Sequence, residues 1–192
     1  LQCTAPVANA VFVREEGTNE LVADVTLNCT TSAAATLNIQ AFLSPGVSVS
    51  SAVVGAGVNA VSEAVAGVTD GTVFTSSPEH GIVTGSSVAF NNIAIPSGGA
   101  IVRIANIRIN ASQVSTGGGA PVAIQETICV GGVNVTPAVL SAINVAFVTH
   151  GLAGIQATAP SSNPVCSATT AAAPNFGVQF SEGFASAFRV RR

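Results

Sequence analysis

Two histidines, His80 and His150, are the only side chains in this 192-residue sequence whose ordinary titration falls near neutrality. Each is followed by glycine (His80-Gly81, His150-Gly151), which places it at a turn or a strand end. A serine nucleophile wants Gly-x-Ser-x-Gly or a comparable elbow, and none is present. Glu15-Glu16 are adjacent, so in an extended strand they point to opposite faces. The nine acids are otherwise scattered, with no spacing that singles out a glycosidase pair. Asp70 stands alone between Thr69 and Gly71, where calcium would need several oxygen ligands. No enzymatic activity, metal or cofactor is expected from this inventory.

The remaining chemistry is covalent. Four cysteines, Cys3, Cys29, Cys129 and Cys166, allow three pairings. None lies in C-x-x-C and no histidine stands close in sequence, which argues against zinc. The chain starts Leu1-Gln2-Cys3 without Met, the expectation being that an export signal has been removed and the thiols are oxidised. Local closure favours Cys3–Cys29 and Cys129–Cys166, each worth about 3–4 kcal/mol on the loop-entropy account. Free buried thiols are the plainer alternative. Asn28, Asn110 and Asn134 each open an N-x-Ser/Thr triplet, so glycans are candidate partners, although a chain this rich in Ser and Thr yields such triplets by chance.

Strands must position these groups. Alternation recurs along the chain, beginning with ELVADVTLNC, which predicts Leu21, Ala23, Val25, Leu27 and Cys29 on one face. ATLNIQAFL puts Leu37, Ile39, Ala41 and Leu43 inward. VSVSSAVV, SVAFNNIAI, IVRIANIRI, PVAIQETICV, AINVAFV and NFGVQFSE follow, separated by Gly, Pro and Asp turns. The phase changes across Asn91-Asn92 and across Ala105-Asn106, as a β-bulge would leave it. Residues 52–67 read as a short helix or an edge hairpin, and 158–174 as a long loop held by Cys166. The expectation is one all-β domain over residues 1–192, an immunoglobulin-like or jelly-roll-like antiparallel sandwich with bulged strands.

Both ends carry a further signal. VREEGTNELVADVTLNCT resembles R-x-E-G-x-x-E-L-V-x-D-V-x-L-x-C-T, and FSEGFASAF resembles F-x-E-G-F-x-x-A-F. Together they are similar to an uncharacterised family of secreted bacterial β-domains, with RIANIRINAS in the middle matching loosely. The resemblance implies export and a β-fold, and it transfers no functional residue. The chain departs from that pattern in its Ala-rich middle and in the additional pair Cys129 and Cys166.

Composition points toward assembly. Charged residues make up 8% of the chain, against about 25% in ordinary soluble domains. A surface so poor in charge suits a protein packed against copies of itself. The net charge of −3 attracts neither nucleic acid nor an anionic membrane. The uncharged run 130–148 is interrupted by Asn134, Thr136, Pro137, Ser141 and Asn144, so no membrane-spanning helix is expected. A chain without Trp or Tyr lacks both the girdles of a membrane barrel and the usual sugar platforms.

Residues 1–80 carry a net −6, with Glu15, Glu16, Glu20 and Asp24 near the start, and residues 81–192 a net +3. Half the six arginines (Arg189, Arg191, Arg192) close the chain, behind phenylalanines spaced by four at Phe176, Phe180, Phe184 and Phe188. Phe176 to Phe180 read as the last core strand. Residues 184–192 read as a tail that buries Phe184 and Phe188 on a neighbour and brings the arginines to its acidic front. The expected function is a structural subunit of a secreted filament or surface layer, a homopolymer. The alternative is a monomeric secreted adhesion or carbohydrate-binding module.

Overall fold

A computed structural model describes residues 1–55, 60–158, 177–185 and 187–188. The chain is all-β, and two packed sheets form a sandwich. The first sheet contains β1 (Gln2–Cys3), β2 (Val7–Ala8), β5 (Val25–Thr30), β9 (Val65–Thr69), β10 (Glu79–His80) and β13 (Ala100–Ala105), in the order β1-β5-β13-β9-β10 with β2 also on β5. The second contains β3 (Val11–Arg14), β6 (Ala35–Ser44), β11 (Ile82–Thr84), β12 (Ser87–Ile95), β15 (Val122–Val133), β16 (Ala138–Val139) and β17 (Ile143–Thr149). Its order is β11-β12-β6-β15-β17-β3, with β16 also on β15. Three small ribbons complete the described fold: β4 (Glu20–Leu21) with β14 (Arg108–Ile109), β7 (Val53–Val54) with β8 (Val61–Ser62), and β18 (Leu152–Thr158) with β19 (Gly177–Glu182).

Alternation builds the core where one face of a strand is covered. Ala35, Leu37, Ile39, Ala41 and Leu43 of β6 are all buried, as the sequence pattern requires. Phe90 on β12 is the largest fully buried side chain among the described residues. After it the register slips, Asn92 takes a left-handed φ of 64°, and Ile93 and Ile95 return to the core. That is the bulge expected at Asn91-Asn92; the Asn92 N–H it frees donates to the Asn38 side chain at 2.9 Å. At Ala105-Asn106 the expected bulge is instead a strand end: Asn106, with φ 60°, closes β13, and β14 pairs with β4 outside that sheet. Residues 53–54 and 61–62 form a hairpin rather than a helix.

Three expectations change. The stretch 20–29 is two strands, because Val22 and Ala23 donate to Ile107 and Val145 instead of to a sheet neighbour. The inward parity therefore flips, with Glu20 and Val22 buried before it and Val25, Leu27 and Cys29 after it. VSVSSAVV forms a single bridge, Val49 to Ile109, and then β7. The sandwich is not wholly antiparallel: β3 runs parallel to β17.

Cys3 lies directly opposite Cys29 across β1 and β5, and the two form a disulfide. Cys129 is half-buried and has no disulfide partner among the described residues; its expected partner Cys166 lies outside them, as do residues 159–176. Non-reducing peptide mapping should recover the 3–29 link. Removing it with a double Ser substitution should cost about 3–4 kcal/mol, for a separation of 26 residues.

One core position is out of character. Glu126 on β15 points inward between Ile124 and Ile128, is 0% exposed, and neither carboxyl oxygen has a hydrogen-bond partner among the described residues. Burial alone pushes its carboxyl from 4.5 up to about 8, so near neutrality the buried form is the neutral acid. A carboxyl with a raised folded value supports the fold fully below its unfolded value and loses that support as pH rises toward the folded one. Denaturation of native and Glu126→Gln protein across pH 4.5 to 8 should show the native chain falling behind, by up to about 1.4 kcal/mol per pH unit. Parallel pH profiles would place the carboxyl in contact with water or a partner.

Candidate functional site

The parallel pair of β3 and β17 builds one corner of the molecule. Val13 and Val148 lie side by side in the core at 0% exposure, which turns Phe12, Arg14, Phe147 and Thr149 to the outer face. The Glu15 N–H extends the ladder to the Thr149 carbonyl at 2.8 Å, and the Gly17 N–H then donates to Arg14 O at 3.0 Å to close a turn. A Cβ at Gly17 would stand 2.1 Å from Glu20 Oε1, so glycine lets that carboxylate cross the turn. There it accepts from Arg14 Nε at 2.8 Å and from the terminal nitrogen at 2.5 Å.

The C-terminal segment reaches the same corner. The Gly151 N–H donates to Glu16 Oε2 at 3.1 Å, and the Gly183 N–H donates to Gly151 O at 2.8 Å. A Cβ at Gly183 would stand 2.0 Å from the His150 carbonyl, which only glycine permits. Residues 14–20 and 180–188, far apart in sequence, therefore meet at the turn His150-Gly151.

Thr116, from the loop before β15, joins them. Its hydroxyl donates to Glu15 and lies 3.2 Å from His150 Nε2, while His150 Nδ1 is 3.3 Å from Glu15 and 3.8 Å from Glu16. The Thr116 side-chain hydrogen bond holds the Glu15 carboxyl below its usual value, helped by the Thr116 N–H and by His150, with burial opposing. A hydroxyl, an imidazole and a carboxylate in contact have the membership of a nucleophilic triad. The hydroxyl hydrogen, however, is committed to the carboxylate rather than aimed at the imidazole. The arrangement acts as a clamp that ties three chain segments together. Among the described residues no group of three His, Cys, Asp or Glu side chains could hold a metal ion, and no helix is long and apolar enough to cross a membrane.

Beside the clamp lies an apolar cleft of about 550 Å³, lined by Arg14, Glu16, Gly151, Leu152, Phe180 and Phe188. Phe184 packs on Phe12 of its own chain at 5.8 Å between ring centres, Phe12 packs on Phe147 at the same distance, and Ala187 is buried. The start of the tail thus lies on its own body, whereas Phe188 remains 53% exposed. Val178 and Phe180, expected in a last core strand, are exposed, with Phe180 at 61%. Arg189, Arg191 and Arg192 lie outside the described residues, as does Phe176.

The acidic front is largely matched within the chain. Glu20 pairs with Arg14, Asp24 with Arg103, and Glu63 with Arg108 at 2.9 Å. Glu15 and Glu16 face His150. Of the glycan triplets, Asn28 is exposed on β5. Asn110 is half-buried and accepts from its own triplet's Ser112 hydroxyl at 2.6 Å. Asn134 is exposed and donates to Ala34 O at 3.0 Å. Sequence reasoning missed Thr116, the pairing of His150 with the adjacent acids, and Glu126. Only Glu126 left a local signal, since it shares the parity of Ile124, Ile128 and Val130.

Set against known protein families, curated proteins and solved structures, the chain matches none, so its own geometry carries the functional argument. Gly183→Ala should detach the C-terminal segment from the corner. Limited proteolysis is expected to cut near residues 183–188 far faster in the variant, with the 3–29 disulfide core intact; equal rates would remove the corner contact from the account.

Proposed function

We propose that the chain is a non-enzymatic structural subunit of an extracellular filament or surface layer, built from copies of itself in head-to-tail contact. The observation that carries this reading is the β18–β19 ribbon. Every described side chain of β19 is exposed, and Ile155, Val178 and Phe180 stand open on a chain with only 8% charge. An exposed apolar patch of this kind is a mark of an interaction surface. Phe188 and the cationic end Arg189, Arg191 and Arg192 supply the head-to-tail contact. Their acidic target on a neighbour is Glu15 with Glu16, paired with His150 among the described residues. Because Glu16 lines the same cleft as Phe188 of its own chain, the contact requires the last residues to cross to the neighbour's corner. Phe184 contributes less than the sequence suggests, because Phe12 already covers part of it.

Export belongs to the same reading, supported by the Cys3–Cys29 disulfide, as does kinship with the secreted β-domains that the end segments resemble. So does an immunoglobulin-like or jelly-roll-like ancestry of the sandwich, supported by consecutive strands such as β5 and β6 crossing between sheets. A second reading, a monomeric adhesion or carbohydrate-binding module, draws on the cleft of Leu152, Phe180 and Phe188.

Electron microscopy and sedimentation of the full chain separate the two. Polymers are expected, and a single species at the mass of one chain would overturn the structural reading in favour of the module. Replacing Arg189, Arg191 and Arg192 by Ser should raise the concentration needed for assembly several-fold. High salt should act mildly in the same direction, since exposed ion pairs contribute about 0–1 kcal/mol each.

A further inference from the structure

β18 and β19 pair only with each other among the described residues, so each has an edge that no described strand covers. An isolated two-stranded ribbon is marginal in water, and a long uncharged edge is a template for another chain. The two edges differ. β18 carries a register shift between Leu152 and Gly154, which twists its edge. β19, GVQFSE, runs six residues with no proline and no bulge on its own strand, and its sole charge is Glu182 at the far end.

We propose that β19 pairs antiparallel with β19 of a second copy, about a two-fold axis at Gln179. Directly opposed residues in such a pair point to the same face, so only an axis through a residue is allowed. An axis at Phe180 would set Val178 against the second copy's Glu182. An axis at Gln179 sets Val178 against the second copy's Phe180 and Gln179 against itself, and leaves Glu182 beyond the paired stretch. The ribbon's own register then completes a four-stranded sheet, because Ile155 lies opposite Phe180, Gln156 opposite Gln179 and Ala157 opposite Val178. One face carries two apolar rows, each running Ile155, Phe180, then the second copy's Val178 and Ala157. The other face carries an unbroken row of four glutamines.

Size limits the assembly to two copies at this joint. Stacking β18 of one copy on β19 of the next would repeat whole subunits every ~10 Å, at the ~4.8 Å spacing of strands. A compact body of this length has a radius of gyration of about 16 Å, so the bodies would overlap. The two-fold arrangement instead sends the bodies to opposite ends. This joint rests on the assembly reading and assigns the ribbon to a two-fold contact, so the head-to-tail contact of a filament is a second one, left to the tail.

Gln179→Cys in the full chain tests it, because the axis brings position 179 of the two copies within ~5 Å. Mild oxidation should join 179 to 179 in non-reduced peptide maps, with Gln156→Cys as a control lying three strands from its counterpart. Val178→Lys should lose the joint, halving the mass of a dimer, while keeping the 3–29 disulfide. A folded Gln179→Cys protein without the 179–179 link overturns the proposal. Polymers without that link would sink the ribbon joint and spare the filament. Linked dimers that never polymerise would sink the filament and uphold the joint.

Discussion

Parallel pairing of β3 with β17 is the constraint on which the corner depends. It holds Val13 against Val148 in the core and carries Arg14, Glu15 and Glu16 to the level of Thr149 and His150. Everything at the corner follows from that level: the Glu16 bond to Gly151, the Thr116 clamp and the docking of Gly183. Phe12, turned outward by the same parity, provides the ring on which Phe184 packs. β3 is therefore a platform for the C-terminal segment.

Low charge has a structural counterpart. Arg14, Arg103 and Arg108 each pair with an acid of their own chain, and Arg103 also lies over the Phe74 ring at 5.6 Å. These pairs are half-exposed and individually weak, and they tie up six of the fifteen charged side chains within the chain. Apolar side chains remain on the outside, and four of the fourteen large exposed ones among the described residues, Ile155, Val178, Phe180 and Phe188, lie at the ribbon and the tail beside it. On the assembly reading proposed above, such a surface leaves association to backbone edges and aromatic contact.

How much of this was legible in the sequence depended on whether the cause was local. The alternation of residues 35–43 could be read directly, because β6 lies between β12 and β15 and has a single buried face. The bulge at Asn91-Asn92 was legible for the same reason, whereas the phase change at Ala105-Asn106 marks a strand end, because β14 leaves the sheet to pair with β4. The stretch 20–29 misled, since its parity flips where Val22 and Ala23 change partners, and those partners are distant. The parallel pair joins residues more than a hundred positions apart, and no local pattern announces it. Thr116, His150 and Glu15 were likewise brought together by the fold alone. Glu126 was within reach, because its parity placed it inward, but a carboxylate in an alternating strand reads naturally as the outward residue.

The central claim is that the turn after β3, residues 14–20, and the segment from Gly183 meet at one corner of one body, with the ribbon exposed beside it. Amide hydrogen exchange in the full chain tests it most directly, at the N–H groups of Glu15 and Gly183. The account predicts that both are protected and that Gly183→Ala strips protection from residues 183–188 while Glu15 keeps most of its own. Exchange at Gly183 in the native chain as fast as in an unstructured peptide would contradict it, and would return the whole C-terminal segment to the search for a partner.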